Sequence, residues 1–341
     1  MEAKNSRLAL FVAAAHVYLA GMLGWGVTRL VWGDRWWWLF LMNTFGVYLF
    51  LLLPLVAGLA WIARRRELWL GCGFAVVMGM MYYGGLFLPK SSPVQASSPT
   101  LSVQTFNMLG FNEHPEGVVA ALRAGDADLV AIQELNPATA IAIEQDLRDL
   151  YPYQELDPQE GVTGMGVLSR YPLSPTGEIL PGQWVGAPQI LSLDFEGRSI
   201  TILHFHPFPT LLGAPRQIEL SARAREEQVR TVLDFIAHHP GPVIAPVDFN
   251  AGDQGRAYAL LTEVLRDAWR EAGWGMGHTF PGAVSPGSSR PVIAGIPVPS
   301  WLVRIDYIFY SEDFRALDAR IGPWDGVSDH RSVLATLSWE N

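Results

Sequence analysis

Six apolar runs in this chain of 341 residues end in carboxylates, carboxamides or imidazoles. Asn107 closes Leu-Ser-Val-Gln-Thr-Phe, Glu134 closes Leu-Val-Ala-Ile-Gln, and His206 closes Ile-Thr-Ile-Leu-His-Phe. Asp248 and Asn250 end Val-Ile-Ala-Pro-Val-Asp-Phe-Asn, Asp306 lies in Arg-Ile-Asp-Tyr-Ile-Phe-Tyr, and Asp329 and His330 sit in Val-Ser-Asp-His-Arg. The pattern suggests strands that deliver a hydrolytic metal site to one edge of a sheet. Phosphoester hydrolysis is chemistry such a set can perform. It needs charge neutralised at phosphorus, an activated water and help for the leaving group, and hard cations such as Mg2+ supply the first through oxygen ligands.

Each residue type has a place in that chemistry. Glu134 is the best single ligand candidate, because its run must be buried and puts the carboxylate at a strand tip. In Asp248-Phe-Asn250 alternate residues share a face if the chain stays extended. A carboxylate there can orient the attacking water, and a carboxamide can hold a phosphoryl oxygen. Asp329 can ligate metal or polarise water, while His330 meets the phosphate. Asp306 lies in a hydrophobic strand where an unpaired charge is costly, so a partner is expected, and His330 is the obvious one. His204 and His206 share a strand face at a spacing that also suits a transition metal such as Zn2+ or Mn2+. The reading of His204 as a core histidine is favoured. Ser328 lacks a Gly-x-Ser-x-Gly context and reads as a turn former.

The elements that position these residues begin after residue 100. Strands are expected at 101–106, 128–133, 164–168, 189–195, 199–206, 242–248, 303–310 and 332–338, with helices at 115–123 and 216–237. In the second helix Val229, Val232, Leu233 and Ile236 follow core spacing, and Arg225, Glu226, Glu227, Arg230 and Asp234 are expected to face water. Residues 207–215 and 281–301 are Pro-rich apolar loops that could either flank the site and meet a lipid surface or pack on the domain itself.

The first 90 residues read differently. Stretches 8–28, 36–63 and 68–89 contain no Asp, Glu, Lys or Arg, and each can cross about 30 Å of hydrocarbon as a helix. Lys4 and Arg7 before the first stretch resemble a signal peptide. Two further spans follow without a clear cleavage site, which favours three transmembrane helices. Lys4, Arg7 and Arg64 to Arg66 on one side outnumber Arg29, Arg35 and Lys90 on the other. This predicts a cytoplasmic N-terminus and an extracytoplasmic C-terminal domain on a plasma (inner) membrane. Trp36, Trp37 and Trp38 fall where an interfacial aromatic belt would form. Residues 91–100 read as a Ser/Pro-rich linker and 101–341 as the catalytic domain. Eight of the 24 basic and three of the 33 acidic residues lie in 1–90, leaving 16 minus 30, or −14, for the rest. Such a surface offers no basic footprint for nucleic acid. Cys72, the only cysteine, lies within the third span, so no disulfide forms within the chain.

Taken in order, Thr-Phe-Asn107, Asp128-Leu-Val-Ala-Ile-Gln-Glu134, Gly166-Val-Leu-Ser-Arg-Tyr-Pro172, His206-Pro, Asp248-Phe-Asn250, Arg304-Ile-Asp306-Tyr-Ile and Ser328-Asp-His330 resemble the endonuclease/exonuclease/phosphatase superfamily. That group includes DNase I-like nucleases, inositol-polyphosphate 5-phosphatases and neutral sphingomyelinases. The resemblance covers 101–338. It implies an α/β fold, a four-layer α/β/β/α sandwich, and a Mg2+-dependent phosphodiesterase or phosphatase, with Mn2+ as a second candidate. It further implies that Glu134 and Asn107 hold the metal with Asp329 nearby, and that Asp248 orients or deprotonates water. Asn250 and His206 would bind the phosphoryl oxygens, and His330, paired with Asp306, would stabilise the transition state or act as base. Three departures stand out: Val247 where the family usually has Gly, crowding the backbone near the site; His204 where Asn is frequent; and Leu109 where a second polar residue is frequent.

The leading expectation is a membrane-anchored, metal-dependent phosphoesterase that acts on a lipid head group or small phosphodiester, with the bilayer as its partner. An extracytoplasmic nuclease is the first alternative. A non-catalytic membrane scaffold that retains the fold is the second.

Overall fold

The computed structural model describes residues 2–90, 99–282, 290, 292–293 and 295–340. Most of the 91–100 linker and the middle of the 281–301 loop lie outside the described residues.

Five helices come first: α1 (Glu2–Trp32), α2 (Trp37–Thr44), α3 (Gly46–Leu49), α4 (Leu53–Ala63) and α5 (Arg66–Tyr83). Three segments, Ser6–Trp32, Gly46–Ala63 and Arg66–Leu86, are long and apolar enough to cross a membrane. Leu10, Leu30, Leu55, Trp61, Leu70 and Met81 point outward from them, as lipid-facing side chains would. The expected continuous span 36–63 is interrupted. Its first part is the separate helix α2, which ends at Thr44, and Phe45 (φ −106°, ψ 14°) leaves the helical region. α2 packs instead on the catalytic domain, where Phe40 clusters with Ile218 and Ala222. A buried polar chain fixes this arrangement. Trp25 Nε1 donates to Asn43 Oδ1 (2.9 Å), Asn43 Nδ2 donates to Asp34 Oδ1 (2.7 Å), and Asp34 Oδ2 accepts from the backbone N–H of Arg256 (2.6 Å).

The strands of the second part are β1 (Thr100–Asn107), β2 (Leu129–Gln133), β3 (Tyr153–Asp157), β4 (Met165–Ser169), β5 (Leu173–Pro175), β6 (Gln189–Phe195), β7 (Arg198–His204) and β8 (Val243–Asp248). They continue with β9 (Arg266–Asp267), β10 (Val292–Ile293), β11 (Ile296–Pro297), β12 (Asp306–Tyr310), β13 (Phe314–Ile321) and β14 (Val333–Trp339). The helices are α6 (Pro115–Gly125), α7 (Pro137–Asp146), α8 (Pro215–His238), α9 (Arg256–Leu261) and α10 (Ala268–Ala272). Pro stands in the first turn of α6, α7 and α8, where its missing N–H costs nothing. Asn136 also caps α7 by accepting from the Thr139 N–H.

Two six-stranded sheets form, in the orders β13-β14-β1-β2-β4-β3 and β5-β6-β7-β8-β12-β9. Their facing sides bury Leu101, Val103, Leu129, Val167, Leu193, Ile202, Ile244, Ile308 and Val333 in one cluster. The outer face of the first sheet packs Phe106, Val130 and Ile132 on Val118, Leu122 and Ile143 of α6 and α7. The outer face of the second packs Leu203, Val243 and Ala245 on Val229 and Val232 of α8. These layers make a four-layer α/β/β/α sandwich. Burial of one such aliphatic side chain contributes roughly 1.5–3 kcal/mol, so these three interfaces dominate the stability.

Arg225 corrects the expectation for α8. It is buried, with Nη1 donating to Phe208 O (2.8 Å) and its guanidinium over the Phe40 ring. Position 225 is four before Val229, hence on the inward face, and α2 closes over it. Val247 corrects another expectation. Its side chain lies in the α8-side core cluster, on the face opposite Asp248, because alternate strand residues point to opposite faces. It does not crowd the site.

Candidate active site

Strand register alone brings the polar ends together. β1 and β2 run parallel with Asn107 opposite Gln133, so Asn107 and the next residue, Glu134, end neighbouring strands. β8 and β12 run antiparallel with Asp248 directly across from Asp306. Both pairs lie at the same edge of the stacked sheets. The Asn107 amide bridges them, donating to Glu134 Oε1 (3.0 Å) and to Asp248 Oδ2 (2.9 Å).

Asp248 is the hub. Its Oδ2 lies 3.2 Å from His206 Nε2 and 3.8 Å from His330 Nε2. Behind His330, Asp306 Oδ2 accepts from Nδ1 at 2.9 Å, so the expected partner of the strand-buried carboxylate is in place. Burial opposes charge on Asp248, but the imidazoles of His330 and His206 hold its carboxyl well below the usual carboxylate range. Burial likewise opposes protonation of His330, yet Asp306, Asp248 and Asp329 together hold its pKa well above the usual value. Asp306 is raised, first by burial and then by the like charge of Asp248, against the pull of His330.

Asn250 reaches the site by a different route from the one expected. β8 ends at Asp248, and Asn250 has φ 53°, a left-handed conformation. Its N–H folds back onto Asp248 Oδ1 (3.0 Å), and its Nδ2 reaches Pro207 O (3.0 Å) and His206 Nε2 (2.9 Å). His206 Nε2 thus stands between a donor, Asn250, and an acceptor, Asp248, and can serve only one at a time. Its Nδ1 is buried and has no hydrogen-bond partner among the described residues. Glu134 is also left-handed (φ 59°). Non-glycine residues held there carry strain that a fold maintains at functional positions.

The donor set fits a hard divalent cation. Burial raises the Glu134 carboxyl pKa, the His206 charge, the Gly110 N–H and the Asn107 amide lower it, and Asp329 raises it by like-charge repulsion. Asp329 beside it is buried. Half-buried Glu134 and buried Asp329, with the Asn107 side chain alongside Glu134, make an oxygen-rich set that suits Mg2+ or Mn2+ and not a soft-ligand metal. Ligand atoms of Asp248, Asp306 and His330 also lie within 4.8 Å of one another, but His330 Nδ1 is already committed to Asp306.

His204 is a core residue. It is fully buried between Gln133 Nε2 (2.8 Å) and Gln189 Oε1 (3.0 Å), and burial, with the His206 charge, lowers its pKa to about 3. Ser328 is a turn former, as expected: its hydroxyl donates to Asn107 O (2.7 Å) and accepts from the His330 N–H (3.0 Å). Several supporting groups were not anticipated. The Gly110 N–H donates to Glu134 Oε2 (2.8 Å), and a Cβ at Gly110 would come within 1.9 Å of Gly161 O. Buried Arg304 joins Asp267 (2.8 Å) to Asp253 (3.2 Å), fixing the loop after Asn250 to the start of β12. Arg304 stands two residues before Asp306, a placement that could have flagged it.

The sequence profile of the Endonuclease/Exonuclease/phosphatase family matches residues 105–330, which contain every site residue named above. The chain belongs to the endonuclease/exonuclease/phosphatase family. As a family member it is a metal-dependent hydrolase of phosphoester bonds. Similar folds include an endonuclease/exonuclease/phosphatase family protein from Bacteroides thetaiotaomicron, with 15% identity and TM-score 0.52, covering 72% of this chain and 100% of that one. Truncated Caenorhabditis elegans TDP2 is similar at 17% identity and TM-score 0.54, covering 70% and 98%. D. rerio TDP2 complexed with single strand DNA product is similar at 19% identity and TM-score 0.52, covering 70% and 98%. No curated protein sequence matches the chain.

Proposed function

We propose that this family member is a membrane-anchored, Mg2+-dependent phosphoesterase whose substrate is a lipid head group or another small phosphoester at the membrane surface. The observation that carries the reading is the convergence on Asp248. It joins a buried Asp306–His330 pair, His206 and Asn250 to the Glu134 and Asn107 strand ends, beside a helix supplied by the membrane segment.

The roles follow from the geometry. Glu134, Asn107 and Asp329 would hold the cation, which when bound neutralises charge on the phosphoryl group. Asp248, kept ionised by its imidazole neighbours, orients and deprotonates the attacking water. Asn250 and His206 bind the phosphoryl oxygens. His330, kept protonated by Asp306, offers Nε2 to the charge that develops on the phosphoryl group.

The membrane side is inferred from charge and contacts. The C-terminal ends of α1 and α5 both abut the catalytic domain, through Asp34 to Arg256 and through Leu86 O to the Gly275 N–H (2.7 Å). The Arg64–Arg66 loop joins α4 to α5 at the other end of α5, and by the positive-inside rule this supports a catalytic domain outside the cytoplasm of a plasma (inner) membrane. A reporter fused to the C-terminus that is active in the cytoplasm would refute this orientation.

A nuclease is the second reading. It is supported by the likeness to a TDP2 complexed with single strand DNA product and opposed by the −14 charge of the domain. Hydrolysis of bis-p-nitrophenyl phosphate, lipid phosphoesters and single-stranded DNA by the full chain with Mg2+ tests both. Lipid or small-diester turnover, silenced by Asp248→Ala and by His330→Ala, supports the first reading. Preferential DNA cleavage at low salt overturns it in favour of the second.

A further inference from the structure

The interruption of the second span at Phe45 has a counterpart on the catalytic domain. A cavity of about 150 Å³ lies between α2 and the site. Phe40, Leu41, Thr44 and Phe45 form its membrane-domain wall, and Pro209, Thr210 and Leu212 of the turn after His206 form another. Its far wall is Asn250 with Phe280. Asn250 is the residue whose amide touches His206, and the Phe280 ring lies 4.9 Å from that of His330. The cavity therefore abuts the phosphoryl-binding side of the site, with Asn250 shared between them.

Its lining contains no ionisable side chain. Thr44 spends its hydroxyl on Phe40 O (2.9 Å). A concave, mostly apolar lining of this kind favours apolar guests. The mouth is apolar too, since Phe45, Leu211 and Leu212 are 39%, 55% and 60% exposed, beside helices that themselves carry outward apolar surface. A water-soluble phosphoester would leave this space unfilled. A phosphoester with an alkyl chain would place phosphorus at Asn250 and His206 and its first carbons between Leu212 and Phe45.

We propose that the membrane segment completes the substrate site, and that the substrate class is an amphiphilic phosphoester whose chain enters the cavity between α2 and the 207–215 turn. This rests on the phosphoesterase reading and names its substrate class. The split of the second span then has a purpose, because a continuous helix over 36–63 could not both cross the membrane and lay Phe40 to Phe45 beside Asn250.

The test is a homologous series of p-nitrophenyl alkyl phosphates, methyl to hexyl, hydrolysed by the full chain in phosphatidylcholine nanodiscs with Mg2+. Each methylene buried in the cavity should raise kcat/KM about fourfold until the space is filled. Leu212→Glu, at an exposed position that tolerates the change, puts a charge in the wall and should collapse the hexyl-to-methyl ratio toward one. A flat series in the wild type, or an equal slope in wild type and Leu212→Glu, as simple partitioning into the bilayer would give, overturns the proposal. Calorimetric binding of the matching alkyl phosphonates reads the same slope without turnover. If no ester is hydrolysed, the phosphoesterase reading fails. The pocket then stands if the phosphonate slope is steep and sensitive to Leu212→Glu, and falls if the slope is flat.

Discussion

His204 should make the fold acid-sensitive by an amount that can be worked out. The ring is fully buried, Nδ1 donates to Gln189 Oε1, and Nε2 accepts from the Gln133 amide, which itself donates to Thr105. A second proton would confront that amide N–H2 with another donor, and burial lowers the pKa from 6.5 to about 3. The unfolded chain therefore binds a proton below pH 6.5 that the folded chain refuses. The associated stability is complete above pH 6.5 and is lost progressively as pH falls from there toward 3. At pH 5 the gap is about 1.5 pK units, or roughly 2 kcal/mol at 1.36 kcal/mol per unit. For a domain of this size that is a Tm drop of about 4–8 °C between pH 8 and pH 5. Other groups titrate over the same range, so the quantity to measure is a difference. Thermal unfolding of the full chain in nanodiscs, followed by tryptophan fluorescence, is compared at both pH values for wild type and His204→Gln. The glutamine variant should start less stable at pH 8, having lost fitted hydrogen bonds, and should lose about 4–8 °C less on acidification. Equal losses in the two proteins would refute a neutral buried His204.

Three further outcomes are expected. Asp306→Asn leaves the His330 imidazole without its buried counter-charge; stability should fall by about 3–5 kcal/mol, and kcat should fall at least about a hundredfold, as read by denaturant unfolding and steady-state hydrolysis. Glu134→Gln should raise the Mg2+ concentration for half-maximal activity by at least about tenfold and abolish the thermal stabilisation that Mg2+ gives the wild type. Asp34→Ala removes the acceptor of both Asn43 and the Arg256 N–H, costing about 1–3 kcal/mol. It should also loosen α2 from the catalytic domain, so that hydrogen exchange quickens across residues 37–44 while β1 and β2 stay protected.

Much of this site is legible because strand ends are legible. Leu-Val-Ala-Ile-Gln can only be a buried strand, so the residue after it, Glu134, must emerge at an edge. The same logic holds for Asn107 and Asp248, and a carboxylate inside a strand, Asp306, requires the partner it has in His330. What escaped depends on contacts between distant segments. Strand alternation predicts an extended Asn250, but the chain turns at φ 53°, which no local pattern announces. Arg225 carries a charge on the inward face of α8, and only the arrival of Phe40 from α2 makes burial tolerable there. The break at Phe45 falls inside an unbroken apolar stretch, where hydropathy cannot separate a membrane span from a helix buried against another domain. Strand β13 carries no clean alternation in the sequence, because its buried positions shift phase at an irregularity between Ala316 and Asp318.

Isotope transfer tests whether Asp248 activates a water against phosphorus in a cation-dependent site. The full chain in nanodiscs hydrolyses bis-p-nitrophenyl phosphate in H2-18O with Mg2+, and the products are read by mass spectrometry. One 18O should appear in the p-nitrophenyl phosphate and none in the p-nitrophenol, with turnover lost on chelation and in Asp248→Asn. Label in the phenol, or undiminished turnover in Asp248→Asn, would contradict that role.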